Sequence, residues 1–160
     1  MIRAAVLTIS DSVCAGLRTD ASGPAVVHRL EQLGWQVAVA EALPDEQAQI
    51  SARLHTLAVF GDVSVIFTTG GTGITPHDVT PEATRDVLDR EIPGLAERMR
   101  AEGSRSTPMA ALSRAVAGLA GKVLIVNLPG SPRGAIESLD AIVGLVPHIL
   151  DLLEGNTNHG

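Results

Sequence analysis

A run with the character of a buried strand, broken abruptly by glycine, sets the tightest limits on how this chain folds. Val63-Ser64-Val65-Ile66-Phe67 is β-branched and aromatic, is bounded upstream by Gly61 and Asp62, and passes through Thr68-Thr69 into Gly70-Gly71-Thr72-Gly73. An almost unbroken apolar run between turn residues is the pattern of a fully buried strand. Further on, Thr80 offers a helix cap and Pro81 a first helical position. Strand, glycine loop and helix in that order make one βα unit of an open α/β sheet, and ligands of such sheets bind at the edge where the loop lies.

Glycines directly after a buried strand allow positive φ and let backbone N–H groups converge on an anion, while Thr69 and Thr72 add hydroxyls without closing the space. The pattern is neither of the two commonest phosphate loops. It lacks the Gly-Lys-Ser/Thr ending of one and the third glycine of G-x-G-x-x-G. Asp78, just beyond the cradle, stands where a carboxylate holds a magnesium ion bridging nucleotide phosphates. The bland alternatives are a tight structural turn for the glycines and a turn or cap aspartate for Asp78.

The rest of the chain supplies matching units. Arg3 to Ile9 reads as a first strand ending at Ser10-Asp11-Ser12, and a helix opened by Pro24 carries Val26, Leu30 and Leu33 inward before Gly34 stops it. Trp35 to Ala40 reads as a strand, with Trp35 a core or subunit-contact residue. Asp45 to Ala58 reads as a helix buried through Ile50, Leu54 and Leu57, with Asp45 and Glu46 favouring the positive end of its dipole. The helix from Thr80 turns Ala83, Val87 and Leu88 inward, and Leu95 to Ala101 follows the break at Glu91-Ile92-Pro93-Gly94; its Arg98 and Arg100 belong to a solvated face or reach an anion. Ser113 to Leu119 reads as a hairpin arm with Gly118 and Gly121 at the turn. Lys122 to Leu128 reads as a second buried strand, and its loop Asn127-Leu128-Pro129-Gly130-Ser131-Pro132 ends in a capping serine and an initiating proline. The implied fold class is α/β, a three-layer αβα sandwich around a mostly parallel central sheet of about five strands.

Composition narrows the function. The chain has 160 residues, enough for one domain spanning 1–155 with a polar tail at 156–160. Aromatic residues are 2% of the chain, so Val, Leu, Ile and Ala must build the core. A formal charge of −6 argues against a nucleic-acid surface, though it permits a small nucleotide neutralised by a cation. Cys14 is the single cysteine and has no Cys/His cluster around it, so no internal disulfide forms and the thiol is incidental. No apolar run approaches a membrane span, and Met1-Ile2-Arg3 leads straight into a strand without a signal core; the expected compartment is the cytoplasm.

Taken together, Leu7-Thr8-Ile9-Ser10-Asp11, the stretch from Thr69 to Ala83 through Gly-Gly-Thr-Gly and Asp78-Val79-Thr80-Pro81-Glu82, and Asn127 to Pro132 resemble the molybdenum-cofactor-biosynthesis family. The likeness extends to bacterial molybdopterin adenylyltransferases and the G domains of gephyrin, and it covers nearly the whole chain in order. It implies a homotrimer that transfers AMP from magnesium ATP to molybdopterin, releasing pyrophosphate, and hands its product to a downstream metal-insertion enzyme. It also implies residue roles. Asp45 and Asp78 would be the catalytic, Mg2+-positioning carboxylates; Gly70, Gly71, Thr72 and Gly73 would meet nucleotide phosphates; and Leu128, Pro129, Gly130 and Ser131 would close around the nucleotide. Asp20 matches an acidic position near the pterin side, Ser22, Gly23 and Ser113 match positions near the pterin or its terminal phosphate, and Ser10 would be a further cofactor-binding residue. His77 stands where many relatives have arginine. A catalytically weak molybdopterin-binding paralogue or assembly protein is the alternative reading, and ATP consumption that depends on molybdopterin separates the two.

Overall fold

The computed structural model describes residues 1–156. In chain order the elements are β1 (Arg3–Ile9), α1 (Asp11–Cys14), α2 (Ser22–Gln32), β2 (Gln36–Leu43), α3 (Gln47–Phe60), β3 (Val65–Thr69), α4 (Thr80–Arg85), β4 (Arg90–Glu91), α5 (Pro93–Gly103), a 3-10 turn (Pro108–Leu112), β5 (Ala117–Ala120), β6 (Val123–Leu128), α6 (Pro132–Ile142), a second 3-10 turn (Val143–Leu145) and α7 (Val146–Leu153). The strands form one sheet in the order β2-β1-β3-β6-β5-β4, parallel from β2 to β6 and antiparallel from β6 to β4.

The central strands are buried at nearly every position because helices cover both faces of the sheet. Successive side chains point to opposite layers. Val65 and Phe67 pack with Val26 and Leu30 of α2, Leu95 and Met99 of α5 and Leu139 and Ile142 of α6. Ile66 packs with Ile50, Leu54 and Leu57 of α3 and Ala83 of α4. The result is the three-layer α/β arrangement with a mostly parallel central sheet. Trp35 belongs to this packing, its ring lying 6.4 Å from that of Phe67, centroid to centroid.

Several boundaries differ from the sequence expectation. The sheet has a sixth strand, β4, whose two residues are too short to show a period. Leu33, expected in the buried stripe of α2, is the residue that caps its carboxyl end and is 37% exposed. Glu46 is the N-cap of α3 and Asp45 lies before it, so neither sits in the first turn of that helix. Thr80 does not cap α4: Val79 holds the cap position and Thr80 is the first helical residue. Gly118 lies within β5 opposite Glu91, where a Cβ would stand 3.0 Å from the Glu91 Cα; Gly121, at φ +59°, makes the turn. The expected tail begins with exposed Asn156, and its residues 157–160 lie outside the described part.

Candidate active site

Three neighbouring parallel strands, β1, β3 and β6, end at Ile9, Thr69 and Leu128 and pass into loops at Ser10, Gly70 and Pro129. Strand order reverses between β1 and β3, because β1 has β2 on its other side, and a crevice opens at such a switch point. Gly70 is wedged where the loops meet. Its N–H donates to the Leu128 carbonyl at 3.1 Å, and a Cβ there would overlap the Ile9 carbonyl oxygen. Gly70 and Gly71 both have positive φ, +90° and +68°, a conformation that side chains disfavour.

Two carboxylates flank the strip Gly71-Thr72-Gly73. On one side, the Asp78 Oδ2 accepts the Thr75 N–H at 3.0 Å and the Thr75 hydroxyl at 2.8 Å, which closes a turn and leaves Oδ1 without a hydrogen bond among the described residues. A Cβ on Gly73 would lie 2.8 Å from the same Oδ2. On the other side, Asp45 and Asp11 exchange bonds: the Asp11 N–H donates to Asp45 Oδ2 at 3.0 Å and the Asp45 N–H donates to Asp11 Oδ1 at 2.9 Å. Asp45 Oδ1 is left facing the strip, 3.3 Å from where a Gly71 Cβ would be. Burial pushes the Asp45 carboxyl above the usual range; the Asp11 N–H opposes this, while the Asp11 and Asp78 charges add to it and His77 subtracts. The Cys14 thiol is pushed up as well, by burial and then by Asp11 and Asp45, which removes thiolate character at neutral pH.

Beneath the strip lies the Thr80 hydroxyl, fully buried and without a hydrogen-bond partner among the described residues. A Cβ at Gly71 would overlap it. Arg114 ties the strip together from behind. Its N–H donates to the Thr72 carbonyl at 2.8 Å, Nε to the Gly73 carbonyl at 2.7 Å, Nη2 to the Asp78 carbonyl at 2.7 Å and Nη1 to Glu82 Oε1 at 2.6 Å.

The strip forms one wall of a cleft of about 420 Å3, whose other walls come from α5, the 3-10 turn at Pro108, the β6–α6 loop and the start of α6. Of the residues expected at a site from sequence, Gly71, Thr72, Gly73, Asp78, Ser113, Pro129, Gly130 and Ser131 line this cleft. Ser131 also caps α6, accepting the Gly134 N–H at 3.1 Å. Asp45, Ser10, Gly70 and Leu128 lie outside that lining. Asp20 and Gly23 line a separate cavity of about 550 Å3 between α2 and the β1–β2 face. There Asp20 accepts the Thr8 hydroxyl at 2.7 Å and the Gly23 N–H at 3.0 Å, while buried Ser22 bonds the Thr69 hydroxyl at 2.9 Å. Among the cleft-lining residues Arg100 alone is a lysine or arginine; its Nη1 donates to the Ser113 and Ala115 carbonyls at 3.2 and 3.0 Å. Arg98 points elsewhere, to the Ala141 carbonyl.

Residues 5–149 match the family model described as probable molybdopterin binding domain. This chain belongs to that family. A molybdopterin adenylyltransferase of Helicobacter pylori is 37% identical over 157 residues, spanning 97% of this chain and 89% of its own. The molybdenum cofactor synthesis protein cinnamon of Drosophila melanogaster is 40% identical over 149 residues, 92% of this chain, which spans only 25% of that longer protein. Among solved structures, the molybdopterin biosynthesis enzyme MoaB of Thermus thermophilus superposes with a TM-score of 0.91 at 50% identity, covering 97% of this chain and 98% of its own.

Within this molybdopterin-binding fold the site suits an anion accompanied by a divalent cation. Two carboxylates anchor themselves through one oxygen each and lie against the same backbone strip, Asp45 by its free Oδ1 and Asp78 by its anchored Oδ2 with Oδ1 left open, and an orphaned hydroxyl lies beside it. No group of three or more His, Cys, Asp or Glu that could hold a metal occurs among the described residues. A hard cation that takes one or two carboxylates and fills its shell from phosphates and water fits this donor set, and magnesium behaves in that way. The contacts of Arg114 and Arg100 carry little sequence signal, since those of Arg100 and two of those made by the Arg114 side chain go to backbone carbonyls that any sequence supplies.

Proposed function

We propose that this protein is a molybdopterin adenylyltransferase that transfers AMP from ATP to molybdopterin, releases pyrophosphate, and works in the cytoplasm as a homotrimer supplying a metal-insertion enzyme. The reading rests on the carboxylates of Asp45 and Asp78, which lie against Gly71 and Gly73 and each keep one oxygen without a hydrogen bond among the described residues. The Helicobacter pylori relative that carries this activity in its name supports it across almost the full chain.

Chemically, an oxygen of the acceptor's terminal phosphate attacks the α-phosphorus of ATP, and the bond from that phosphorus to the bridging oxygen of pyrophosphate breaks. The attacking group is already ionised, so no side chain has to become a nucleophile. What the protein must supply is alignment of two anions that repel each other in water. The glycine strip leaves room for backbone approach to the phosphates, and Asp45 and Asp78 would hold Mg2+, which when bound offsets the charge building on the departing pyrophosphate. The β6–α6 loop contributes Pro129, Gly130 and Ser131 to the cleft wall.

Asp78→Asn tests the proposal. The amide keeps the volume and can still accept from Thr75, so circular dichroism should show a native fold. AMP transfer, followed as adenylylated molybdopterin and pyrophosphate in single turnovers, should fall at least about a hundredfold, because removing a metal-positioning charge takes several kcal/mol from transition-state stabilisation. Molybdopterin binding should change far less. Wild-type transfer from the folded variant overturns the assignment, and binding without any transfer by the wild-type protein identifies the paralogue instead.

A further inference from the structure

We infer that Arg114 is a positioning residue for the transfer: its guanidinium fixes the Asp78 carboxylate against the Gly71–Gly73 strip without touching substrate. The inference rests on the adenylyltransferase reading. Gly73 and Asp78 are the two ends of a turn whose inner residues, Ile74, Thr75, Pro76 and His77, are all exposed. Internally that turn is closed by the Asp78 carboxylate on Thr75 and by the Asp78 N–H on the Thr75 carbonyl at 3.0 Å. Those bonds hold the turn's shape but not its place. Arg114 holds the place, since Nε takes the Gly73 carbonyl, Nη2 takes the Asp78 carbonyl and Nη1 takes Glu82 in the first turn of α4.

The chemistry of the fork matters. A planar guanidinium satisfies three acceptors in fixed directions, whereas a lysine ammonium on a flexible stem is a point charge that cannot span them. The positive charge is spent on Glu82, and the bond to Asp78 goes to its carbonyl, so the Asp78 carboxylate keeps its own charge for a ligand. The ion pair itself is more than a third exposed on both sides, so it adds little to global stability. Losing the fork should therefore loosen the turn and leave the fold intact.

The experiment is a double-mutant cycle with Arg114→Lys and Asp78→Asn, read by single-turnover AMP transfer and by calorimetric Mg–ATP binding. Alone, Arg114→Lys should keep the wild-type circular dichroism spectrum, lower transfer by roughly a hundredfold, as misplacement by about 1 Å does, and raise the magnesium concentration needed for half-maximal rate. In the Asp78→Asn background the same substitution should cost almost nothing, because the group it positions has already lost its function. Hydrogen exchange should speed up at the Thr75 and Asp78 amides in Arg114→Lys. Equal costs in both backgrounds, or unchanged exchange at those amides, overturn the inference. If the wild-type protein makes no adenylylated product, the adenylyltransferase reading has failed on its own, and the binding cycle with the exchange measurement still decides whether Arg114 positions Asp78. Arg114→Ala guards against a tolerated lysine: added methylguanidinium should restore part of its transfer rate, and an absence of restoration in a folded Arg114→Ala counts against a guanidinium-specific role.

Discussion

At the scale of single residues, the site places charge where burial resists it. Asp45 keeps a proton more tightly in the folded protein than in the unfolded chain, whose aspartates titrate near pH 3.9. Acid therefore favours the fold at this group: its contribution is greatest below the unfolded pKa and is lost as pH rises through the raised folded value. Asp45→Asn cannot ionise and still accepts the Asp11 N–H, so its melting temperature should gain on wild type as pH rises from the pKa of the unfolded aspartate through the raised Asp45 pKa, and the gap should hold above it. Thermal unfolding of both proteins across that range checks the sign; a gap that closes with rising pH contradicts it. A bound cation supplies the opposite charge and should narrow the gap.

Among elements, the end of β6 is fastened by a side chain. Asn127 is fully buried; its Nδ2 donates to Thr68 at 3.0 Å and Thr84 at 2.9 Å, and its Oδ1 accepts the Val116 N–H at 3.1 Å. One amide thus joins β6, β3, α4 and the entry to β5. Asn127→Leu fills the volume yet strands the Val116 N–H, so it should cost about 2 to 4 kcal/mol, measured by urea unfolding at constant slope. The strands themselves are legible in the sequence. Val65 to Phe67 and Val123 to Leu128 lie between two helical layers, and burial on both faces writes itself as a continuous apolar run. Ser131 and Pro132 are equally legible, because capping chemistry is local. The sequence expectation starts α3 two residues early because Asp45 is acidic before a helix, yet its partner is the Asp11 backbone, 34 residues away. Arg114 is illegible for a related reason: two of the acceptors its side chain reaches are carbonyls. The glycine strip and Asp78 are readable as a site, whereas the placement of Asp20 and Gly23 around a different cavity depends on how α2 crosses β1, and no local pattern encodes that.

For the whole molecule, the open question is assembly. Strand β2 pairs only with β1, so its outer edge is unpaired among the described residues, and Phe60 at the end of α3 is exposed. An unpaired edge and exposed apolar groups are commonly covered by another chain. Sedimentation equilibrium should return three times the chain mass of 16.6 kDa, and a concentration-independent monomer contradicts the trimer. The order of strands has a further consequence, for the timing of biosynthesis. β3 lies between β1 and β6, so its second neighbour is missing until Leu128 has left the ribosome. A nascent chain that already carries Asp45, the glycines and Asp78 has no partner for that side of β3 and no β5 to bring Arg114 home. Parallel pairings between distant segments close late and slowly. The nucleotide capture proposed above is then among the last properties this polypeptide acquires, so arrested chains should be recovered without nucleotide.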